Sequence, residues 1–439
     1  MIRRLDVRTL GLEAVARSLD RPPAAVSSEI QRAVETILHE VRTGGDAALL
    51  ALTERLDGFR AGSAAALAIA PEEFEAAARS LPADVRAALQ YAAERIERYH
   101  AAAVPKSWRI TDEHGSVLGQ EIRPLDRVGV YVPGGRAAYP STVLMTAIPA
   151  RVAGVRQVVL VTPPAPDGRV DSTVLAAARV AGVTEGWRLG GAQAVAALAY
   201  GTASIRRVDK IVGPGNIYVA LAKSRVVGEV GIDMVAGPSE ILVIADDAAD
   251  PEWAAADLLA QAEHDPMARA VLITPEPALA DRVAAALERR LAALPRHRIA
   301  AEALAAHGAL VTVASLEDAV ELANRLAPEH LELLVRDPEA WLPRVRHAGA
   351  VFLGGRTPEV VGDYVAGPSH VLPTGGTARF SSPLGVEDFV RRTSVIEYSA
   401  AGLAAAWPHL AALARVEGLA GHGAAAAVRL EPPAGEGTR

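Results

Sequence analysis

At 439 residues the chain is too long for one ordinary hydrophobic core, so two main domains with smaller appendages are expected. A net charge of −7 without any clustered Lys/Arg stripe speaks against a nucleic-acid partner. The absence of cysteine excludes disulfides, thiolate metal ligands and a covalent thiol mechanism, and it is compatible with the cytosol.

The opening Met1-Ile2-Arg3-Arg4-Leu5-Asp6 has two arginines but no apolar stretch behind them, so no signal peptide is read there. No uninterrupted apolar run approaches the roughly 18 to 20 residues that a membrane span needs. A soluble, cytoplasmic chain without nucleic-acid or membrane partners is expected. Up to about residue 110 the pattern is helical and charged, with 27–43 and 71–100 carrying apolar residues at i, i+3 and i+4. Pro22-Pro23, Gly44-Gly45 and Pro82 punctuate it.

From Arg127 onward short β-rich runs appear, at 128–132, 158–162, 208–212, 241–245, 270–274 and 350–353. Helical stretches separate most of them, which reads as α/β architecture with parallel, doubly wound sheets. Two such blocks are expected, 128–236 and 237–380, with the break near Ala236-Gly237-Pro238. The tail from Ser381 is read as helical, with a loose end over 431–439.

Three Gly-rich turns accompany the first block: Tyr131-Val132-Pro133-Gly134-Gly135, Gly190-Gly191-Ala192-Gln193 and Gly213-Pro214-Gly215-Asn216. Glycine lets backbone N–H groups approach a ligand closely, and a helix N-terminus attracts anions such as a diphosphate. None matches the full dinucleotide fingerprint, and each alone is as readily a plain strand–helix turn. Three in one block point toward a dinucleotide crevice.

Further along, Gln261 and His264 stand three apart at the end of a helical run, on one face, as two ligands of one ion must. A solvated helix end is the competing reading. Glu329-His330 places an acid beside an imidazole just before a strand, where successive side chains point to opposite faces. A histidine near its ordinary pKa is a natural general base; a surface Glu beside a packed His is the alternative. The loop from Gly362 to His370 carries Asp363, and the tail carries Glu417 and His422. Most other histidines, such as His39, His100 and His297, sit in charged helical surroundings and read as surface residues.

Together these segments resemble the histidinol dehydrogenase family, over about residues 30 to 425. The resemblance rests on 128–135, 139–153, 189–201, 209–216, 233–245, 261–266, 327–333, 362–377 and 394–398. It implies a zinc-dependent, NAD-linked oxidation of L-histidinol through L-histidinaldehyde to L-histidine, the last steps of histidine biosynthesis. It places one zinc ion per subunit on Gln261, His264, Asp363 and His422, and NAD contacts on Tyr131, Gln193 and Asn216. The acid–base pair falls on Glu329 and His330, and substrate contacts fall on Ser239, Gln261, His264, His330, Asp363, Glu417 and His422.

The implied fold is two incomplete Rossmann-like domains with small helical terminal extensions, in an intertwined homodimer. The implied partition is an extension over 1–25, a larger domain from 26–127 with 237–380, an NAD-binding domain over 128–236, and a dimerisation tail over 381–439 that completes the partner's site. His330 is expected to take the alcohol proton and Glu329 to activate a water for the aldehyde. Without cysteine no thiohemiacetal can form, so a hydrate is the expected second intermediate. Three rivals remain. A related dehydrogenase for a sulfonated diol fits poorly with Glu417, whose carboxylate suits a substrate ammonium. A zinc hydrolase leaves the Gly-rich turns unexplained. A non-catalytic binding protein would not need the acid–base pair.

Overall fold

The computed structural model describes residues 2–20, 26–134, 138–183 and 185–430. Pro22-Pro23, Gly135 and the expected loose end over 431–439 lie outside the described residues. The fold is α/β with two parallel sheets. The chain divides into two units, one within Met1–Ala103 and Leu125–Phe389, the other within Val104–Pro124 and Val390–Arg439. Among the described residues, no helix is long and apolar enough to cross a membrane.

In the first unit, one sheet runs in the order Ala68–Ile69, Glu185–Arg188, Gln157–Thr162, Arg127–Tyr131, Lys210–Val212, Gly231–Ile232. All neighbours are parallel except Ala68–Ile69, which pairs antiparallel at the edge. Its five parallel strands therefore stand in the spatial order 3-2-1-4-5. Arg127–Tyr131 is buried throughout, as a central strand covered on both faces must be, and this is why it reads as a continuous apolar run.

Helix Ser28–Asp57 covers part of this sheet, burying Val34, Ile37, Leu38, Val41, Leu49 and Leu52 in the same core as Val159, Val161 and Leu198. Ser27 caps it, its Oγ accepting from Ile30 N at 3.3 Å, and the helix is broken at Gly45, whose φ is 53°. Helix Pro71–Ser80 packs on Ser172–Ala181, and Ala83–Ala102 packs on Pro140–Val152. The expected grouping set 26–127 with 237–380, and helix Ala83–Ala102 does touch that block too, Arg95 Nε donating to Val365 O at 2.7 Å. The N-terminal helices cover the 128–236 block, because their apolar stripes find its helices and edge.

The surface reading of His100 is corrected. It continues the buried stripe of Leu89, Ala93 and Ile96 along Ala83–Ala102 and is 2% exposed. Burial pushes its imidazole down to about 4.

The second sheet runs Arg3–Asp6, Ala309–Thr312, Arg269–Thr274, Glu240–Ala245, His330–Leu334, Ala350–Leu353, parallel throughout. The five strands from Glu240 onward repeat the 3-2-1-4-5 order. The first described residues are no loose extension, since Arg3–Asp6 adds an edge strand and helix Leu12–Leu19 packs on Leu316–Leu326.

The second unit is a three-stranded antiparallel sheet, Val390–Glu397, Val117–Pro124, Trp108–Thr111, followed by helices Ala400–Val416 and Ala420–Ala427. The tail was expected to be helical from Ser381. Instead it contributes a strand that pairs with Val117–Pro124, so 104–124 joins the tail rather than the large domain. Arg391, Arg392, Thr393 and Ser394 leave this strand no alternating apolar pattern to read. Ser399 caps the first helix, its Oγ accepting from Gly402 N at 2.8 Å.

Candidate active site

A parallel sheet in the order 3-2-1-4-5 leaves a crevice where the connections diverge, outside the carboxyl ends of strands 1 and 4. In the first sheet these are Arg127–Tyr131 and Lys210–Val212. A cavity of ≈ 1450 Å³ opens there, and Tyr131, Gln193 and Asn216 all line it. Each stands where its turn puts it. Tyr131 ends its strand, and its hydroxyl accepts a hydrogen bond from Gly191 N at 3.2 Å. Burial pushes that phenol up to about 12. Asn216 caps helix Ile217–Arg225, its Oδ1 accepting from Tyr218 N and Val219 N at 3.1 and 3.2 Å. The turn before it is clamped: Gly213, at φ 109°, donates its N–H to Asp233 Oδ2 at 2.8 Å, and buried Lys223 donates to Gly213 O at 2.9 Å and pairs with Asp233. Gln193 is fully buried in helix Gly191–Tyr200, and its Nε2 donates to Asp57 Oδ2 at 3.0 Å.

The second cluster lies at the amino ends of the second sheet's central strands, Glu240–Ala245 and His330–Leu334, whose register pairs Ile241 with His330. Helix Leu316–Leu326 ends at Ala327, a non-glycine residue at φ 47°, and this left-handed turn delivers Pro328, Glu329 and His330 to the strand. Glu329 Oε2 accepts from Glu240 N at 2.8 Å, and Glu240 Oε1 accepts from Glu329 N at 3.3 Å. The other oxygen of Glu240 forms a buried ion pair with Arg269.

His330 Nδ1 lies 3.0 Å from Glu240 O. A carbonyl only accepts, so Nδ1 carries the hydrogen and Nε2 the lone pair. That Nε2 faces Glu359 Oε1 at 3.5 Å. Glu329 stands in the bend before the strand, and its Oε2 comes within 3.8 Å of His330 Nδ1. The expected separation onto opposite faces is therefore corrected, because strand alternation begins only at His330.

Electrostatics separates the two groups. Burial drives the Glu329 carboxyl well above its usual range, and the carboxylates of Glu240, Glu359 and Asp363 push the same way. Burial holds the His330 imidazole down to about 4, against the opposing pull of Asp363. Burial, with Asp363 alongside, drives Glu359 upward as well.

His330, Glu359 and Asp363 offer ligand atoms within 4.8 Å of one another. Gln261 ends helix Pro251–Ala262 fully buried, and neither its Oε1 nor its Nε2 has a hydrogen-bond partner among the described residues. A buried amide without partners is costly unless a ligand completes it. His264 follows two residues past the helix end and is exposed. His370 Nδ1 donates to Asp363 O at 3.1 Å and its Nε2 faces Thr142 Oγ1 at 3.3 Å, which fixes the loop carrying Asp363. Ser239 immediately precedes Glu240, and its carbonyl accepts from Arg269 N at 3.1 Å.

Within the first unit Glu329, His330 and Asp363 come together at neighbouring strand starts, with Ser239 beside Glu240, while Gln261 and His264 stand at the end of helix Pro251–Ala262. Glu417 and His422 belong to the second unit, both exposed, at the end of helix Ala400–Val416 and within helix Ala420–Ala427. Sequence reasoning missed Asp57, Glu359 and Arg269. Each is an ionisable residue in unremarkable local surroundings; only a charged side chain at an otherwise apolar strand start marks Arg269.

A sequence model of histidinol dehydrogenase matches residues 20–430. The chain is 52% identical over 435 residues to the histidinol dehydrogenase of Pseudomonas syringae pv. syringae (strain B728a), covering 98% of this chain and 96% of that protein. It is 54% identical over 401 residues to that of Pseudomonas aeruginosa, covering 91% of each. The crystal structure of histidinol dehydrogenase from Elizabethkingia anophelis superposes with a TM-score of 0.93 at 34% identity, covering 98% of both chains.

Proposed function

The chain belongs to the histidinol dehydrogenase family, whose NAD-dependent oxidoreductase chemistry it shares, and from that premise we propose that it oxidises L-histidinol through L-histidinaldehyde to L-histidine, using two NAD⁺ per turnover. One observation carries the residue-level reading: Tyr131, Gln193 and Asn216, far apart in sequence, meet on one cavity at the switch point of the first sheet. We read each sheet, with its 3-2-1-4-5 order, as an incomplete Rossmann-like unit, the first for NAD and the second for acid–base and metal chemistry.

Zinc suits the second cluster. Its donors are imidazole, carboxylate and the unpartnered amide oxygen of Gln261. Gln261, His264, Asp363 and His422 would hold it, and bound there it supplies a Lewis-acidic anchor for the imidazole and amine nitrogens of histidinol. NAD⁺ supplies the hydride acceptor in each step. The proton work falls to the chain. His330, neutral and with its lone pair on Nε2, accepts the alcohol proton as hydride leaves carbon. Glu329, made more basic by burial and neighbouring carboxylates, takes a proton from the water that adds to the aldehyde. The hydrate then loses a hydride and a proton to give the acid. Ser239 and Glu417 contact substrate in this reading.

The reading includes a cytosolic homodimer in which the tail lends Glu417 and His422 to the partner's site. Leu413, Val416 and Val428 on the tail helices are 65%, 81% and 61% exposed, an apolar surface that a second copy would cover.

The test is NADH formed per histidinol consumed, with zinc measured on the same sample. Two NADH per histidinol is expected, and one, with aldehyde accumulating, overturns the double oxidation. Chelator-treated protein should keep its circular dichroism, lose activity and regain it with zinc; full turnover without metal overturns the zinc assignment.

A further inference from the structure

Asp57 ends helix Ser28–Asp57, where a negative charge opposes the helix dipole, so the position is locally unfavourable. Its compensation comes from the facing helix, Gly191–Tyr200. One carboxylate oxygen accepts from Gln193 Nε2 at 3.0 Å. The approach is close: a Cβ on Gly190 would stand 2.9 Å from Asp57 Oδ1, and one on Gly191, itself at φ 57°, would stand 2.7 Å from Gln193 Oε1. Pro163 crowds Gly190 as well, at 2.6 Å from the same Cβ, and Gly191 is held by its positive φ.

Two consequences follow. The Gly191 N–H at the start of that helix is already used by the Tyr131 hydroxyl, and Asp57 Oδ1 stands close to Gly190. A carboxylate facing this helix start disfavours a diphosphate there. Second, a carboxylate only accepts, so Asp57 forces the Gln193 amide to present its NH₂ group inward. Gln193, a residue of the cavity lining, is left with its Oε1 buried and without a partner among the described residues.

We propose that Asp57 is a positioning residue for dinucleotide recognition: it fixes the Gln193 amide so that Oε1 accepts a hydrogen bond from a hydroxyl or amine donor of NAD⁺. This rests on reading the cavity as the NAD site. Burial raises the Asp57 carboxyl to about 6. Protonated Asp57 donates as well as accepts, and it releases the amide to turn. Among the described residues, the other titratable and charged groups on the cavity are Tyr131, Tyr218, Arg55, Arg169 and Asp171. Arg55 pairs with Glu40, Arg169 with Asp167, and Asp171 caps a helix through Thr173 N.

The experiment is calorimetric titration of the full protein with NAD⁺, without histidinol, for wild type, Asp57→Asn, Gln193→Ala and the double variant. An asparagine at 57 presents an NH₂ donor as well as an oxygen acceptor, so it no longer dictates which way the Gln193 amide faces. Each single variant should weaken NAD⁺ about 3- to 10-fold, the worth of one hydrogen bond. The double variant should be no weaker than Gln193→Ala alone, because Asp57 acts only through that amide. Wild-type affinity should fall between pH 8 and 5, and that of Gln193→Ala should not. If Gln193→Ala binds NAD⁺ as wild type does, the reading of the cavity fails. If it weakens binding while Asp57→Asn does not, or if the two losses add, the positioning role is overturned. Should Asp57→Asn fail to fold, a wild-type affinity flat from pH 5 to 8 overturns it equally.

Discussion

Glu240 and Glu329 hold each other by reciprocal bonds, each carboxylate accepting the other's backbone N–H, at 2.8 and 3.3 Å. The two residues are 89 positions apart. Their meeting at the starts of neighbouring parallel strands places Glu329 and His330. The Glu240 carboxylate also accepts from Gly375 N at 3.2 Å and pairs with buried Arg269, so one side chain ties three segments together.

Removing that tie leaves Arg269 buried and uncompensated. Glu240→Ala should cost roughly 3–5 kcal/mol in guanidinium unfolding, the usual penalty for breaking a buried pair. Adding Arg269→Met should recover part of the loss, since the orphaned charge disappears with it. A single variant as stable as wild type would show that the pair contributes nothing.

On the proposed mechanism, the roles of Glu329 and His330 should separate by half-reaction. His330→Ala should slow alcohol oxidation by roughly 10²–10⁴, the worth of a positioned base. Glu329→Gln should impair oxidation of supplied histidinaldehyde more than that of histidinol. Equal effects of both substitutions on both half-reactions, measured by stopped-flow NADH formation, would refute the division.

Acid stability should depend on Glu185. Burial opposes its charge, but hydrogen bonds from Arg127 at 2.7 and 2.5 Å and from Trp187 Nε1 at 3.1 Å carry its carboxyl below the usual value. A depressed folded pKa gives stability that is present above the unfolded value, about 4.3, and lost as pH falls through the folded one. Glu185→Gln should therefore lower the unfolding midpoint at pH 7, and the gap to wild type should narrow below pH 4. A gap that stays constant with pH would assign the effect to packing instead.

Shared sites predict complementation. His264→Ala and His422→Ala, each inactive, should regain roughly a quarter of wild-type activity when unfolded and refolded together, because half the dimers are mixed and one of their two sites carries neither lesion. A mixture that refolds to dimers with the yield of a wild-type control, yet stays inactive, would mean that each site is built within one chain.

Much of this protein was legible in its residues. The runs at 128–132, 158–162, 241–245 and 270–274 became strands because a parallel strand covered on both faces must be apolar along its whole length. The Gly-rich turns marked the carboxyl ends of the first sheet, since only glycine permits backbone geometry such as that of Gly213. The polar strand Val390–Glu397 was hidden, because its pairing with Val117–Pro124 is made by backbone groups common to every sequence.

What the sequence determined by itself was which faces are buried and which residue types carry chemistry. Only the tertiary structure decided where they meet. The stripe on helix Ser28–Asp57 says that one side seeks a core but does not say which, and it found the first sheet rather than the second. Likewise Asp57, Glu359 and Arg269 became part of a site through strand order and register, which bring Ile241 beside His330 and the end of one helix against the start of another. Apolar burial is written locally, in periodicity, whereas the proximity of polar groups depends on crossovers that span scores of residues.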